Sequence, residues 1–304
     1  MRISVLLFAV SSLGACGGGF GWNPLQPDAD SDGVPDRDEE ALGLDPGNAD
    51  SDGDGLSDGD ELALGSDPLI PDTDADYLLD GDEIDVGTDV SNPDTDGDSY
   101  LDGSEVVEGT DPLDPTDVIY QGGWPYVHDK DAIGGGMVLE VGKRFRDFQM
   151  VDQFGDTVSI HDFHNSDKYV VVAVRSLWHP WDQDLSQYFL GDNDSQPHRW
   201  DAIRDAVKAG NVFWIDVIAA GLGGVSSQEE LQAEIKMRFD QYPHDKIPIL
   251  NAWDGAIVDY INTYSFYYPP TITLLTPELK VDTLSEADGT SSASYPLDAL
   301  LDYL

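Results

Sequence analysis

Carboxylates in the first third of this chain fall at positions 1, 3, 5, 9 and 12 of a pattern that starts four times, each start 22 residues after the last. The first copy supplies Asp28, Asp30, Asp32, Asp36 and Glu39, and the second Asp50, Asp52, Asp54, Asp58 and Glu61. The third supplies Asp72, Asp74, Asp76, Asp80 and Glu83, and the fourth Asp94, Asp96, Asp98, Asp102 and Glu105. Alternate residues of a tight loop turn to one side, so three carboxylates at positions 1, 3 and 5 surround a point and the later ones close its far side. That is the chemistry of a hard cation: calcium takes six to eight oxygen ligands at roughly 2.3–2.6 Å. Calcium is the cofactor this spacing implies.

The side-chain order is that of an EF-hand-type loop. The formal charge of −45 on 304 residues is concentrated in the same region, where residues 17–117 carry 32 Asp and Glu against the single base Arg37. Two carboxylates about 4 Å apart repel by about 1 kcal/mol in water and by about 4 kcal/mol at an effective dielectric near 20. Bound metal relieves that repulsion. An acidic, solvated, salt-adapted surface would account for the charge but not for its fixed spacing, and charge of this sign excludes a nucleic-acid partner.

A short helical stretch follows each loop and ends in stop signals, Gly43 and Pro46, Gly65 and Pro68, Gly87, and Gly109 and Pro112. Copies with so few apolar residues, such as Leu56, Leu62 and Leu64, cannot offset the entropy of ordering their backbone, so the metal has to act as the core. The tandem pattern resembles the bacterial relatives of thrombospondin type 3 repeats over about residues 28–117, which implies an extended calcium-loaded array used as a stalk or spacer. Position 6 is Gly33 and Gly55 in the first two loops but Tyr77 and Ser99 in the others, where a tight turn is expected to be strained.

Residues 1–16 begin with one base, continue through a short apolar run and end in small residues, as a signal peptide does. The end, Leu13-Gly14-Ala15-Cys16, resembles the bacterial lipobox, and Cys16 is the only cysteine. The resemblance implies cleavage before Cys16, its acylation, a membrane anchor and, with Gly17 rather than Asp next, an outer-membrane destination. Residues 17–27, opening with Gly17, Gly18 and Gly19, read as a flexible tether.

Residues 118–137, with Gly122-Gly123 and Gly134-Gly135-Gly136, read as a linker to a domain over 138–304. Within that domain Lys168–Ser176 and Val212–Ile218 read as strands, Gln228–Phe239 as an amphipathic helix and Thr271–Leu275 as a third strand. Strands alternating with helices make this an α/β layer structure. The motif beginning Gly142-Lys143-Arg144-Phe145, the stretch Gly155–Phe163, the strand ending Ser176-Leu177-Trp178 and the later Pro269-Pro270-Thr271 resemble the redoxin branch of the thioredoxin superfamily. The fold class expected is therefore α/β, a thioredoxin-like C-terminal domain preceded by an extended calcium-binding repeat array, with Pro270 in the cis-proline position.

The active-site pair of that family consists of two cysteines, and here the matching positions are His179 and Asp182. Neither side chain carries the thiolate that disulfide chemistry needs, so no catalytic residue is expected and the domain reads as redox-inactive. His179 with Asp182 could still act as acid and base, and His161 with His164 could offer imidazoles to a metal; a cap or a packed polar residue is the plainer role for each. Trp178, Trp181, Tyr264, Phe266, Tyr267 and Tyr268 could converge on the old cleft or simply pack. The reading is a cell-envelope lipoprotein that binds or scaffolds, its partners being the membrane through the anchor and an envelope protein or polysaccharide. The alternatives are an atypical oxidoreductase without its own thiols, and a calcium-dependent adhesion or assembly factor acting through the repeats.

Overall fold

The computed structural model describes residues 26–136, 139–164, 166–175, 188, 200–219, 226–241, 247–262, 271–284 and 294–304. Cys16, Trp178, His179, Trp181, Asp182, Tyr264, Phe266, Tyr267, Tyr268 and Pro270 lie outside them. The chain divides into two compact units, one running to Thr73 and including Leu79–Asp85, the other made of Asp74–Leu78 with Val86–Leu304. No helix among the described residues is long and apolar enough to cross a membrane.

The first unit contains α1 (Asp36–Leu42), α2 (Asp58–Leu64) and most of α3 (Asp80–Val86). Each is two turns long and opens with carboxylates in its first turn, where the helix dipole favours them. The first two stop at Gly43 and Gly65, which take the left-handed conformation and donate to the Glu39 and Glu61 carbonyls. The interior is unusual. Val34 and Leu44 are buried, but so, at 0% exposure, are Glu39, Asp58, Glu61 and Asp80, while Leu42, Leu62 and Leu64 face outward. Carboxylates occupy the place that leucines hold in an ordinary core.

The second unit contains α4 (Asp102–Glu108), α5 (Lys130–Ile133) and a seven-stranded sheet. Its strands are β1 (Gln149–Val151), β2 (Thr157–Ser159), β3 (Tyr169–Arg175), β4 (Val212–Ala219), β5 (Ile249–Ala252), β6 (Thr271–Leu275) and β7 (Val281–Leu284), in the order β2-β1-β5-β4-β3-β6-β7. β3, β4 and β5 are parallel neighbours, and β6 returns antiparallel beside β3. The helices α6 (Asp201–Lys208), α7 (Gln228–Gln241), α8 (Ala256–Asn262) and α9 (Ser294–Leu300) complete it. A parallel pair followed by an antiparallel hairpin on the other side of the first strand, then a terminal helix, is the thioredoxin-like arrangement. The all-apolar composition of β3 follows from burial of both faces: Val170, Val172 and Val174 join Phe145, Phe148 and Val217, while Val171 and Ala173 join Trp214, Ile203 and Leu297. On that second face the Arg175 guanidinium is paired with the Asp216 carboxylate, both buried. The expected strands and the helix from Gln228 are all present, within a few residues.

Residues 118–133 are packed rather than extended as a linker. Tyr120 and Trp124 are each 4% exposed and belong to the same core as Phe145 and Val172. Two buried carboxylates of the domain hold them: Asp152 accepts from the Trp124 indole at 2.8 Å, and Asp162 accepts from the Tyr120 hydroxyl at 2.8 Å and pairs with Lys130 at 2.9 Å. Gly122 is needed there, because a Cβ would sit 2.1 Å from the Trp124 ring. Through this segment the fourth repeat joins the domain: the Tyr100 hydroxyl donates to the Trp124 carbonyl at 2.9 Å and the Tyr126 hydroxyl to Glu108 at 2.5 Å.

Candidate metal centre

In each described loop the carboxylates are fixed by backbone amides before any ion is considered. Position 1 accepts from the amide at position 4, in Ser31→Asp28 at 2.8 Å, Gly53→Asp50 at 2.7 Å and Gly97→Asp94 at 2.8 Å. Position 5 accepts from the amide at position 7, in Val34→Asp32, Leu56→Asp54 and Leu78→Asp76, each at 2.7 Å, and in Tyr100→Asp98 at 2.8 Å. Position 9 ties the start of its own loop to the following helix, since Asp58 accepts from both the amide and the hydroxyl of Ser51, and Asp80 and Asp102 accept in the same way from Thr73 and Thr95. Asp36 accepts from the Ala29 amide at 2.8 Å.

These bonds leave the inner oxygens bare. Ligand atoms of Asp28, Asp30 and Asp32 lie within 4.8 Å of one another, as do those of Asp50, Asp52 and Asp54. Two further groups cross from one repeat to the next: Asp32 and Glu39 with Asp58, and Asp54 and Glu61 with Asp80. The position-9 carboxylate therefore does not only serve the loop it was assigned to from spacing; it stands at the site of the repeat before. Asp72 belongs to the first unit, and Asp74 and Asp76 to the second.

Both oxygens of Glu39 and both of Glu61 are buried without a hydrogen-bond partner, as are Oδ2 of Asp30, Asp32, Asp52, Asp96 and Asp98 and Oε2 of Glu105. A buried carboxylate oxygen with no donor is strongly disfavoured. Burial, then the neighbouring aspartates, pushes the Glu39 carboxyl up to about 7, Glu61 up to about 8 and Glu105 up to about 7. Burial likewise raises Asp32, Asp52, Asp96 and Asp98. With Arg37 the only base in residues 17–117, no side chain of the array can neutralise these groups. An oxygen-only, anionic, pre-bonded donor set fits a divalent hard cation.

The turn at position 6 is left-handed in all four loops, with φ of 101° at Gly33, 100° at Gly55, 80° at Tyr77 and 88° at Ser99. The third and fourth loops thus hold the glycine conformation without glycine, against its intrinsic cost. At Tyr77 the ring stacks on His128, centroids 4.2 Å apart, which offsets part of it. The His161 ring lies 3.2 Å from the Phe145 carbonyl and is buried, the arrangement of a packed histidine. Burial and the nearby Arg144 lower the His164 pKa.

Residues 50–71 and 94–115 match the family model of the bacterial TSP3 repeat, a calcium-binding type of repeat. No curated protein sequence matches the chain. Among solved structures it is similar to the thioredoxin domain of a thiol-disulfide oxidoreductase from Bacteroides vulgatus, with 17% identity over 54% of this chain and 98% of that one at a TM-score of 0.37. It is also similar to the exposed lipoprotein thioredoxin of Streptococcus pneumoniae, with 20% identity over 51% and 98% at 0.35. A secreted disulfide oxidoreductase of Mycobacterium tuberculosis gives 13% over 52% and 96% at 0.35. Strand order, rather than these likenesses, assigns the fold.

Spacing alone did not single out Tyr100, Tyr120, Trp124, Asp152 and Asp162, which join the fourth repeat to the sheet. A signal was present: aromatic residues at 120, 124 and 126 and His128 recur at even spacing within a glycine-rich stretch.

Proposed function

We propose that this protein is a calcium-binding lipoprotein of the cell envelope, in which calcium orders the repeats and the thioredoxin-like domain binds or scaffolds a partner without thiol chemistry. The observation that carries the calcium reading is Glu39 and Glu61, fully buried with all four carboxylate oxygens unpartnered. Asp28, Asp30, Asp32 and Glu39 with Asp58, and Asp50, Asp52, Asp54 and Glu61 with Asp80, would hold the ions; Asp94, Asp96, Asp98 and Glu105 are the corresponding set in the fourth copy. Bound calcium supplies the positive charge that the array lacks and links one repeat to the next through the position-9 aspartates. Sites of this extracellular kind fill at roughly 10⁻⁴–10⁻³ M calcium. Titration calorimetry and small-angle scattering of the full chain test this. Several calcium ions should bind in that range with a contraction or stiffening that chelator reverses, and a calcium-blind scattering profile would defeat the reading.

The absence of thiol chemistry is supported by composition. Cys16 is the only cysteine of the chain and stands in the lipobox-like stretch, which leaves no sulfur for the domain. The anchor is tested by Cys16→Ser, which should move the protein from the membrane to the soluble fraction; recovery with the membranes at the unmodified level would show another anchor.

A further inference from the structure

Each of the first two metal sites is completed from the repeat that follows it, Asp58 standing with Asp32 and Glu39, and Asp80 with Asp54 and Glu61. The fourth copy has no repeat after it. Twenty-two residues beyond Asp102 stands Trp124, which offers no metal ligand and whose indole is committed to Asp152. Asp98 Oδ2 and Glu105 Oε2 nonetheless remain buried and unpartnered, with Glu105 at 0% exposure. This loop has the donors of its predecessors and lacks the carboxylate that closes them.

Space takes its place. In the earlier copies Gly59 and Gly81 lie directly against the Asp32 and Asp54 carbonyls. Beside Asp98 there is instead a cleft of about 620 Å³, within the range of small-molecule sites. Asp98 and Ser99 form one wall, and Gln121, Pro125, Lys168 and Phe213 stand among the residues of the others. Lys168 is the one base lining it, in a chain of net charge −45. Its ammonium lies 4.7 Å from the Phe213 ring centroid, and among the described residues it has no carboxylate partner.

We propose that the fourth site takes a carboxylate from outside the chain in the seat that Asp58 and Asp80 fill in the copies before it, and that the ligand is a small sugar acid. The inference rests on the reading of the repeats as calcium sites. The missing donor is a carboxylate, calcium accepts one as a ligand from any source, and Lys168 adds a charge-assisted bond on the cleft side. Phe213 and Pro125 suit the apolar face of a sugar ring, while Gln121 and Ser99 suit its hydroxyls. A single carboxylate is favoured over a polyanion because only charges within about 8 Å escape screening at physiological salt, and the array beyond is uniformly acidic.

Galacturonate titrated into the full chain by calorimetry is the test, in millimolar calcium and again in chelator, with galactose and hexanoate as comparison ligands. Galacturonate should bind only with calcium, galactose and hexanoate should not, and Lys168→Gln should weaken binding roughly tenfold or more. Asp98→Asn should remove galacturonate binding and lower calcium stoichiometry by one, whereas Lys236→Gln, on the exposed face of α7, should change neither. Absence of calcium binding would overturn the calcium reading itself. Intact calcium binding with no galacturonate heat, or binding that survives chelator or Lys168→Gln, would overturn this proposal alone, and equal binding of hexanoate would overturn the sugar-acid assignment.

Discussion

Replacing Gly59 by alanine sets two physical effects against each other, and the structure decides between them. Gly59 lies in the first turn of α2, and its φ is not in the left-handed region. On helix propensity alone, alanine there should stabilise by up to about 1 kcal/mol. A Cβ at 59, however, would stand 2.2 Å from the Asp32 carbonyl oxygen and 3.1 Å from its carbon, whereas carbon and oxygen ordinarily approach to about 3.3–3.6 Å. Both sides of that contact are backbone, so no side chain can swing away and the helix has to retreat by about 1 Å. Asp58 is the adjacent residue, and calcium–oxygen distances tolerate only about 0.2 Å, so the retreat withdraws Asp58 from the group it forms with Asp32 and Glu39. Overpacking of this kind costs about 1–3 kcal/mol, which outweighs the propensity gain, and one calcium site is lost besides. Calorimetry should show one fewer site and thermal melting in calcium a lower midpoint. Arg37 holds the same position in the first copy with no repeat before it, so Arg37→Ala should leave the calcium count unchanged. A Gly59→Ala variant that is more stable and keeps every site would refute the reasoning.

The raised carboxyls set a pH dependence. Between the unfolded value near 4.5 and the folded values of about 7 to 8, the native metal-free protein holds protons on Glu39, Glu61 and Glu105 that the unfolded chain has released, so its stability falls as pH rises through that window. Melting in chelator should therefore be higher at pH 5 than at pH 8, calcium should reverse the order by displacing those protons, and a chelated protein equally stable at both would contradict the assignment. Tyr120→Phe removes a donor from the buried Asp162 carboxylate and should cost about 1.5–3 kcal/mol in denaturant unfolding; a loss under 0.5 kcal/mol would mean that residues 118–133 do not brace the domain as described. The purified chain should not reduce insulin, and the His179→Cys, Asp182→Cys double variant should gain some turnover. Turnover by the unmodified chain would overturn the thiol-free reading.

The residues that spacing could reach were those whose chemistry is local. Asp28, Asp30 and Asp32 converge because alternate residues of one loop turn inward, and β3 was legible because a run such as Val170–Val174 has no other use than a buried strand. The handover of Asp58 and Asp80 was not legible in the same way. Position 9 looks identical whether it serves its own loop or the one before, and the choice depends on how closely successive repeats stack. A trace of that stacking was in the sequence all along: position 10 is Gly59, Gly81 and Gly103 where a loop precedes it and Arg37 where none does. At each of those three glycines a Cβ would come within 2.6 Å of a backbone atom of the preceding loop, the position-5 carbonyl or, at Gly103, its neighbour as well. The glycine content of 118–137 misled for the complementary reason, since glycine marks close approach as readily as looseness, and at Gly122 it is the Trp124 ring that approaches. The same distinction separates the two ends of the array. At its start a base replaces the contact glycine, and at its end Trp124 replaces the contact carboxylate, so the first copy lacks a neighbour to receive and the last lacks a ligand to be given.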